Sequence, residues 1–383
     1  DLLRDLQRDL GTAIILITHD MGVVAEMADR VIVMKAGRMV EEARVTDLFA
    51  NPSAPYTRDL LAAVPRMGQR GAVAESPHSD AVAVLSDVVV RFPIKGGMLG
   101  RTTAQVHAVE HVSFDIRKGE TFALVGESGC GKSTIAKAMV GLVPHQGRIE
   151  IGGQSLSPLG HDAPKSLRRK VQMVFQDPMA ALDPRMRVGD LIAEPLLIHN
   201  IGTANDRRAA AAELMRRVGL SQDQLDRYPH EFSGGQRQRI CIARALALKP
   251  DLIIADESVS ALDVSVQARV LALLKELQDD MGVAFLFISH DMAVVDSIAD
   301  RVAVMYLGQI VEMGRRAQVF GNPQHPYTQR LIEAVPVPVP DPTHRRAPSA
   351  RLGGDIPSPV HPIDSGPDRV VLRDIGGGHL VAG

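Results

Sequence analysis

Residues 126–133 combine glycines, a lysine and a serine at the spacing needed to hold a phosphate chain. The stretch reads GESGCGKS and fits the pattern G-x-x-x-x-G-K-[ST]. Glycines let the backbone wrap closely around phosphates and point N–H groups inward. Lys132 is then expected to reach the β- and γ-phosphates of a nucleotide, and the Ser133 hydroxyl to ligate Mg²⁺. A chance glycine-rich turn is the alternative. The residues predicted to bind the nucleotide here are Gly126, Glu127, Ser128, Gly129, Cys130, Gly131, Lys132, Ser133 and Thr134.

Two acidic residues, Asp256 and Glu257, follow an apolar run at 252–255 that reads LIIA. An Asp at the carboxyl end of a strand can hold Mg²⁺, directly or through water. The adjacent Glu can act as a general base on an attacking water. An ordinary strand end with solvated acids would be the better interpretation of this motif alone. Its pairing with the phosphate loop favours a catalytic site.

A second candidate anion site lies at Ser233, Gly234, Gly235 and Gln236, just before a run of helix-forming residues. A serine and two glycines that open a helix present free N–H groups to an anion. Two such helix starts in one domain suggest a nucleotide that is held from both sides. The alternative is a flexible loop before a helix.

The composition excludes several classes of protein. The chain has 383 residues, and its 43 Lys plus Arg nearly balance its 45 Asp plus Glu. This balance argues against a protein that coats nucleic acid. No apolar run approaches the ~20 residues of a membrane-spanning helix. The two cysteines, Cys130 and Cys241, exclude a disulfide framework and fit a reducing compartment.

The middle of the chain alternates between strand and helix patterns, which predicts an α/β fold. The helical spacing is clearest at 264–280, where one face is apolar. Strands are predicted at 121–125, 252–255 and 283–288, and helices at 133–142, 206–220 and 264–280.

An internal repeat sets the predicted domain organisation, because residues 2–65 align without a gap on 273–336. About half of the positions are identical. The spacing is too long for a solenoid and is the size of a whole domain. We therefore expect a tandem protein, with the C-terminal part of a first domain at 1–65 and a complete second domain at 81–336. A small polar linker is predicted at 66–80, and an extended, weakly ordered, proline-rich tail at 337–383.

The motifs together resemble an ABC-transporter ATPase domain. They are the phosphate loop, or Walker A motif, followed by FSGGQ (232–236), LIIADE (252–257), SALD (260–263) and ISHD (288–291). The resemblance implies a P-loop NTPase fold with a RecA-like core, an antiparallel β subdomain and a helical signature subdomain. It also implies that the signature of one domain completes the ATP site of another.

The resemblance implies further roles for single residues. Gln176 corresponds to the glutamine that senses Mg²⁺ and the membrane subunit, and His290 to the histidine that contacts the γ-phosphate. Asp263 corresponds to an aspartate at the dimer interface, and helix capping is its other possible role. Phe92 matches the aromatic residue that stacks on adenine, although a core position is nearly as good an interpretation. His19 is the counterpart of His290 in the first copy, and would serve a site whose Walker A motif precedes residue 1.

Two further stretches resemble the ATPases of the dipeptide, oligopeptide and nickel importers. NPQHPYTQRLIEAVP (322–336), with its copy at 51–65, matches their C-terminal mark, and FPIKGGMLGR (92–101) matches an insert before the Walker A strand. Such importers use two related ATPases, which are sometimes fused in one chain. Many relatives carry a cysteine cluster in the tail. This tail has no cysteine, so no iron–sulfur cluster is expected.

The resemblance thus implies an ATPase that energises peptide import at the cytoplasmic face of the inner membrane. The expected ligands are ATP and Mg²⁺. The expected partners are two permease subunits, an extracytoplasmic binding protein and a second ABC domain, with no nucleic acid. The alternatives are a soluble twin ATPase that acts on ribosomes or DNA-repair substrates, and a regulator with little turnover. The chain would be part of a longer tandem protein, and would bind ATP at Lys132 without a complete ATP sandwich inside the chain. The cargo stays open among dipeptides, oligopeptides, glutathione-like peptides and nickel chelates.

Overall fold

The computed structural model describes residues 2–68, 70–71, 80–96, 101–157, 164–340, 358–363 and 365–383. The chain divides into two compact units. Of the described residues, the first unit contains 2–66, 263–269 and 334–340, and the second unit contains the rest. Among the described residues, no helix combines the length and the apolar character needed to cross a bilayer.

The first unit is built around one antiparallel hairpin with short helices. Its β1 and β2 strands pair along their length, with an irregularity between Val33 and Met34. Asp20 caps the helix that precedes the hairpin, by accepting hydrogen bonds from the N–H groups of Gly22 and Val23. The elements from residue 2 to 62 are α1 (Leu2–Leu10), α2 (Met21–Met27), β1 (Arg30–Lys35), β2 (Arg38–Arg44), α3 (Val45–Ala50) and α4 (Pro55–Ala62).

The remaining elements alternate between strand and helix over most of their length. The strands are β3 (Ala81–Gly96), β4 (Arg101–Arg117), β5 (Thr121–Val125), β6 (Gln146–Ile151), β7 (Gln154–Ser155), β8 (Val171–Val174), β9 (Leu252–Asp256), β10 (Ala284–Ile288), β11 (Arg301–Tyr306), β12 (Gln309–Arg315), β13 (Val360–Pro362), β14 (Leu372–Asp374) and β15 (Leu380–Ala382). The helices are α5 (Lys132–Met139), α6 (Lys165–Lys170), α7 (Pro178–Ala181), α8 (Val188–Ile198), α9 (Ala204–Arg217), α10 (Gly234–Leu246), α11 (Val264–Met281), α12 (Met292–Ile298), α13 (Arg316–Gly321) and α14 (Pro326–Glu333).

The larger sheet has the order β14-β15-β12-β11-β5-β10-β9-β8. Strands β11, β5, β10, β9 and β8 run parallel to one another, and β12, β15 and β14 extend the sheet beyond β11 by antiparallel pairing. Every residue of β5, β9 and β10 is buried, as expected for central parallel strands that are covered on both faces. The carboxyl ends of these parallel strands meet at one edge, where ligands bind in open α/β sheets.

The smaller sheet is antiparallel and has the order β13-β4-β3-β6-β7. It packs with the larger sheet around one apolar core, in which the rings of Phe114 and Phe122 stack with centroids 4.8 Å apart. The three helices α8, α9 and α10, which lie between β8 and β9 in the chain, pack on one another. The predicted α/β class, with an antiparallel sheet and a helical region, is confirmed.

The predicted elements agree with the structure except at their ends. The strands at 121–125, 252–255 and 283–288 and the helix at 264–280 match within one residue. The helix predicted at 133–142 ends at Met139, because the chain turns through Gly141 in a left-handed conformation (φ +72°). The helix predicted at 206–220 begins earlier, at Ala204, because Thr203 caps it.

The prediction of a weakly ordered tail is wrong for the described part of residues 358–383. This part adds β13 to the edge of the smaller sheet and β14 and β15 to the edge of the larger one. Edge strands tolerate proline, and β14 and β15 lie in residues 368–383, which contain no proline. The remainder of the tail, residues 341–357, lies outside the described residues.

The linker predicted at 66–80 lies largely outside the described residues, at 69 and 72–79. Its described part is anchored by hydrogen bonds: the Gly68 N–H donates to Asp296, and Arg70 donates to Asp300. Arg316 donates in turn to the carbonyl oxygens of Arg70 and Gly71. These residues therefore have fixed partners, which the polar composition does not predict.

The two sequence repeats fold into the same series of elements. Helix, hairpin and two short helices follow one another in α2–α4 and again in α12–α14. Asp291 caps α12 as Asp20 caps α2, by accepting from two N–H groups. Glu41 and Glu312 occupy equivalent positions, and each accepts two backbone N–H groups from the loop before the last helix. The correspondence therefore extends from sequence to capping interactions.

Candidate nucleotide-binding site

The glycine-rich loop joins β5 to α5, so that it lies at the carboxyl edge of the larger sheet. Gly126 and Gly131 have φ angles of +148° and +109°. A Cβ at Gly126 would lie 2.2 Å from the carbonyl oxygen of Met305, and one at Gly131 would lie 2.1 Å from that of Ala108. Only glycine fits both positions, which explains why the loop can pack so closely against its neighbours.

The Lys132 side chain lies within the loop and is 4% exposed. Its ammonium group donates to the carbonyl oxygens of Gly126 and Glu127, at 2.8 Å each. The Sγ of Cys130 lies 3.6 Å from the same nitrogen. Burial raises the pKa of the Cys130 thiol, and the nearby Lys132 charge opposes this change. Cys130 is therefore a neutral packing residue in a loop that is organised around one cation.

Ser133 and Asp256 are brought together from two elements. The Ser133 hydroxyl, in the first turn of α5, donates to Oδ1 of Asp256 at the end of β9, over 2.9 Å. Asp256 is 6% exposed. Burial raises the pKa of this carboxyl, whereas the hydrogen bond from Ser133 lowers it. The pair places two hard oxygen ligands, of the kind that Mg²⁺ prefers, at the edge of the sheet.

Three polar side chains meet just beyond the carboxyl ends of the neighbouring strands β8, β9 and β10. They are Gln176, Glu257 and His290. Gln176 Nε2 donates to Glu257 Oε2 over 2.6 Å, and His290 Nδ1 lies 3.3 Å from Glu257 Oε1. The Glu257 N–H donates to the carbonyl oxygen of Ile288 at the end of β10. Glu257 has a φ of +46°, a conformation that a residue of this type adopts only when its surroundings impose it. Both carboxylate oxygens of Glu257 are thus aimed by neighbours.

The signature residues 233–236 begin α10. The Ser233 hydroxyl accepts from the Gln236 N–H, and Gln236 Oε1 accepts from the Ser233 N–H, which forms a capping box. Phe232 is buried beside them, and no atom lies within 4 Å of where a Gly234 Cβ would stand. Ser233 and Gly234 are therefore at an accessible helix start. In the described part of the chain, no hydrogen bond joins Ser233, Gly234, Gly235 or Gln236 to the phosphate loop or to Glu257.

The three other predicted site residues lie apart from this cluster of contacts. Phe92 is in β3 opposite Val106 and is 38% exposed, so a fully buried core position, its alternative interpretation, is wrong. Oδ1 of Asp263 accepts from the Ser265 hydroxyl and the Val266 N–H, and this is the predicted helix cap. His19 is exposed just before α2.

Sequence reasoning missed one residue that contacts the phosphate loop. The hydroxyl oxygen of Tyr327 accepts a hydrogen bond from the Glu127 N–H over 3.0 Å. Tyr327 belongs to the repeated stretch at 322–336. In the sequence, this stretch indicates only a resemblance to importer ATPases, and no role is predicted for its tyrosine. The recurrence of this tyrosine as Tyr56 in the first copy was the available signal.

Two family profiles match parts of this chain. The profile described as "ABC transporter" matches residues 109–260. The profile described as "Oligopeptide/dipeptide transporter, C-terminal region" matches twice, at 40–83 and at 311–360. The glutathione import ATP-binding protein GsiA of Pectobacterium atrosepticum is 52% identical over the whole chain.

The chain belongs to the ABC transporter family. Within that family it is similar to the oligopeptide-type importers, and the GsiA protein of Escherichia coli (strain K12) is 50% identical over the whole chain. The chain spans 65% of the length of both of these relatives.

Solved ABC cassettes share the fold. The cbiO1 structure from Clostridium perfringens, part of the cbiONQ transporter complex, superposes with a TM-score of 0.54 and 25% identity, over 64% of this chain and 92% of that one. The dimeric cassette MJ0796 bound to ADP and Pi superposes with a TM-score of 0.53 and 26% identity, over 61% of this chain and 98% of that one. The fold is therefore the P-loop NTPase fold of ABC ATPases.

Proposed function

We propose that this ABC protein binds and hydrolyses ATP and that the hydrolysis energises peptide import through an ABC transporter. The observation that carries the proposal is the convergence of three groups at one edge of the larger sheet. These groups are Lys132 inside the phosphate loop, the Ser133–Asp256 pair, and Glu257 with its two neighbours.

The chemistry is in-line attack of a water molecule on the γ-phosphate. The water oxygen bonds to phosphorus as the bond to the bridging oxygen breaks, which yields ADP and phosphate. Glu257 serves as the general base, because its carboxylate is oriented by Gln176 and His290. Lys132 and the loop N–H groups stabilise the charge on the phosphate oxygens.

The residues present fit a bound Mg²⁺. Asp256 is a nearly buried carboxyl beside a serine hydroxyl, and a cation would offset the cost of its burial. Ser133 and Asp256 would hold the ion together with the side-chain oxygen of Gln176, whose Nε2 donates to Glu257. When bound, the ion would neutralise phosphate charge.

A second ABC domain would complete the ATP site. We assign residues 233–236 to the nucleotide of a partnering domain, with Asp263 at that interface and Phe92 on the adenine. The dimeric MJ0796 cassette supports such pairing. In the tandem arrangement that we propose, 1–65 is the C-terminal part of a first domain, 66–80 the linker, 81–336 the second domain and 337–383 the tail. His19 would then serve the first domain's site.

The relatives' names support the choice of cargo and partners. Two of them are named as glutathione import proteins, which favours a glutathione-like peptide and an importer over a twin ATPase of ribosomes or DNA repair. The oriented Glu257 and His290 argue against a regulator with little turnover. The partners would be two permease subunits and an extracytoplasmic binding protein, at the cytoplasmic face of the inner membrane.

An uptake assay tests the proposal. Cells without the gene receive the full-length protein as wild type, Lys132→Ala or Lys118→Ala, which changes an exposed lysine away from the loop. We expect labelled glutathione uptake with wild type and Lys118→Ala, and loss of uptake with Lys132→Ala. Equal uptake in all strains, or copurification with RNA or DNA instead of membrane subunits, would refute the proposal.

A further inference from the structure

The HPYT segment, residues 325–328, contacts the phosphate loop through a hydrogen bond from the loop to Tyr327. The N–H group of Glu127, the second residue of the loop, donates to the hydroxyl oxygen of Tyr327 over 3.0 Å. Tyr327 is 4% exposed, so water competes poorly for its hydroxyl oxygen. The bond connects two positions that are far apart in the chain.

The tyrosine hydroxyl is suited to be a fixed acceptor. Burial raises the pKa of Tyr327 far above its usual range, so the hydroxyl stays neutral at all working pH values. Its ring packs on that of Tyr306, with centroids 4.3 Å apart. Tyr306 ends β11, and β11 pairs directly with β5, the strand that leads into the loop. The ring therefore rests on the same sheet that carries the loop.

Hydrogen bonds also fix the start of α14. The Tyr327 N–H donates to His325 Nδ1 over 3.1 Å. Both Gln324 and His325 donate their N–H groups to the carboxylate of Glu312 at 2.9 Å. Glu312 is completely buried, and His379 Nε2 lies 2.7 Å from it. These contacts leave the Tyr327 hydroxyl little freedom to move.

The first copy offers an internal comparison. Tyr56 stands at the position equivalent to Tyr327, and Lys35 at the position equivalent to Tyr306. The Lys35 ammonium lies 4.3 Å from the centroid of the Tyr56 ring, which is a cation–π contact in place of the ring pair. Tyr56 therefore provides a matched tyrosine within the first unit, where its ring packs on Lys35.

We infer that Tyr327 is a positioning residue for the nucleotide: its hydroxyl fixes the first turn of the phosphate loop. The inference deepens the proposed function and rests on nucleotide binding at Lys132. A loop that loses this anchor must be ordered by the nucleotide itself, so affinity falls. Among the described residues, the Tyr327 side chain makes no hydrogen bond to Glu257, which is held by Gln176 and His290, so the rate at saturation is retained.

The test compares Tyr327→Phe with Tyr56→Phe in the full-length protein. We expect Tyr327→Phe to weaken ADP binding, measured with a fluorescent ADP analogue, by about tenfold. The KM for ATP should rise by a similar factor while kcat changes less than about twofold. Tyr56→Phe should match wild type in both. Unchanged affinity of a folded Tyr327→Phe, or a loss in kcat alone, would overturn the inference.

Hydrogen exchange provides a measurement that needs no nucleotide. The amide of Glu127 should be protected in the wild-type protein and should exchange about tenfold faster in Tyr327→Phe. An unprotected Glu127 amide in wild type would overturn the inference even if the variant fails to fold. Failure of wild type to bind any nucleotide would instead refute the proposed function, and the exchange result would still decide whether the hydroxyl anchors the loop.

Discussion

Glu257 shows at the residue scale how the fold prepares a single side chain. Its left-handed backbone conformation and its hydrogen bond to Ile288 direct the side chain toward Gln176 and His290. The two neighbours then hold one carboxylate oxygen each. The apolar run at 252–255 predicts a strand, and the sequence places two acidic residues directly after it. No sequence pattern predicts a positive φ at Glu257. That feature depends on the packing of adjacent strands.

Asp256 allows a prediction about Mg²⁺ at the same scale. Asp256→Asn keeps a hydrogen-bond partner for Ser133 but removes the charge that would hold the ion. We expect ATP hydrolysis to fall by about 100-fold and the Mg²⁺ concentration for half-maximal activity to rise. The measurement is a Mg²⁺ titration of hydrolysis. Asp251→Asn, just before the opposite end of β9, is the control, and an unchanged Mg²⁺ requirement in Asp256→Asn would contradict the assignment.

At the scale of elements, the start of α10 separates a structural role from a functional one. Ser233 forms a capping box on α10, as Thr203 does on α9. Ser233→Ala and Thr203→Ala should each lower the free energy of unfolding by about 1 kcal/mol. Only Ser233→Ala should also lower ATP hydrolysis, because only this serine belongs to the proposed signature. Thermal unfolding and hydrolysis rates measure the two effects, and equal hydrolysis losses in both variants would show that Ser233 has only a capping role.

The contact between β4 and the tail strand β13 carries a pH prediction. His107 is 3% exposed, faces Glu110 and Arg91, and meets the His361 ring edge-on at 5.0 Å. Burial lowers the pKa of His107 below its usual 6.5, and the Arg91 charge adds to this, whereas Glu110 opposes it. The unfolded chain therefore binds the proton more readily, and the stability associated with neutral His107 is complete above about pH 6.5 and is lost as pH falls toward the lowered value.

The comparison of His107→Gln with wild type checks this sign. Between pH 7.5 and 5.5 the unfolding temperature of wild type should fall by about 2–4 °C more than that of the variant. Loss of charge on Glu110 affects both proteins in the same direction, so the difference isolates His107. His230→Gln, which changes an exposed histidine, should follow wild type. A steeper fall in His107→Gln than in wild type would mean that the sign is wrong.

The elements differ in how far the sequence predicts them. The buried strands and the long helix α11 follow from apolar runs and helical spacing, since these patterns are local. The tail strands do not, because β13 and β15 exist only by pairing with the distant β4 and β12. Tyr327 was missed for the same reason: its contact with Glu127 is made by tertiary packing between segments that are remote in sequence.

At the scale of the whole molecule, the repeated elements support a tandem organisation, and the two copies differ in their partners. In the second copy, the strand β11 lies inside the larger sheet and Glu312 contacts His379 of the tail. In the first unit, β1 pairs with β2, and Glu41 accepts from Ser53 and Ala54. The repeat therefore conserves local capping, while the surroundings of each copy determine what its conserved residues do.

The central claim is that Glu257 activates the water that hydrolyses ATP. Steady-state hydrolysis by the full-length protein, together with the permease subunits proposed as its partners, tests this claim most directly. Glu257→Gln should lower the rate by at least about 100-fold while the protein still binds ATP. Glu276→Gln, the same change on the exposed face of α11, should leave the rate unaltered. Steady hydrolysis at the wild-type rate in Glu257→Gln would contradict the account.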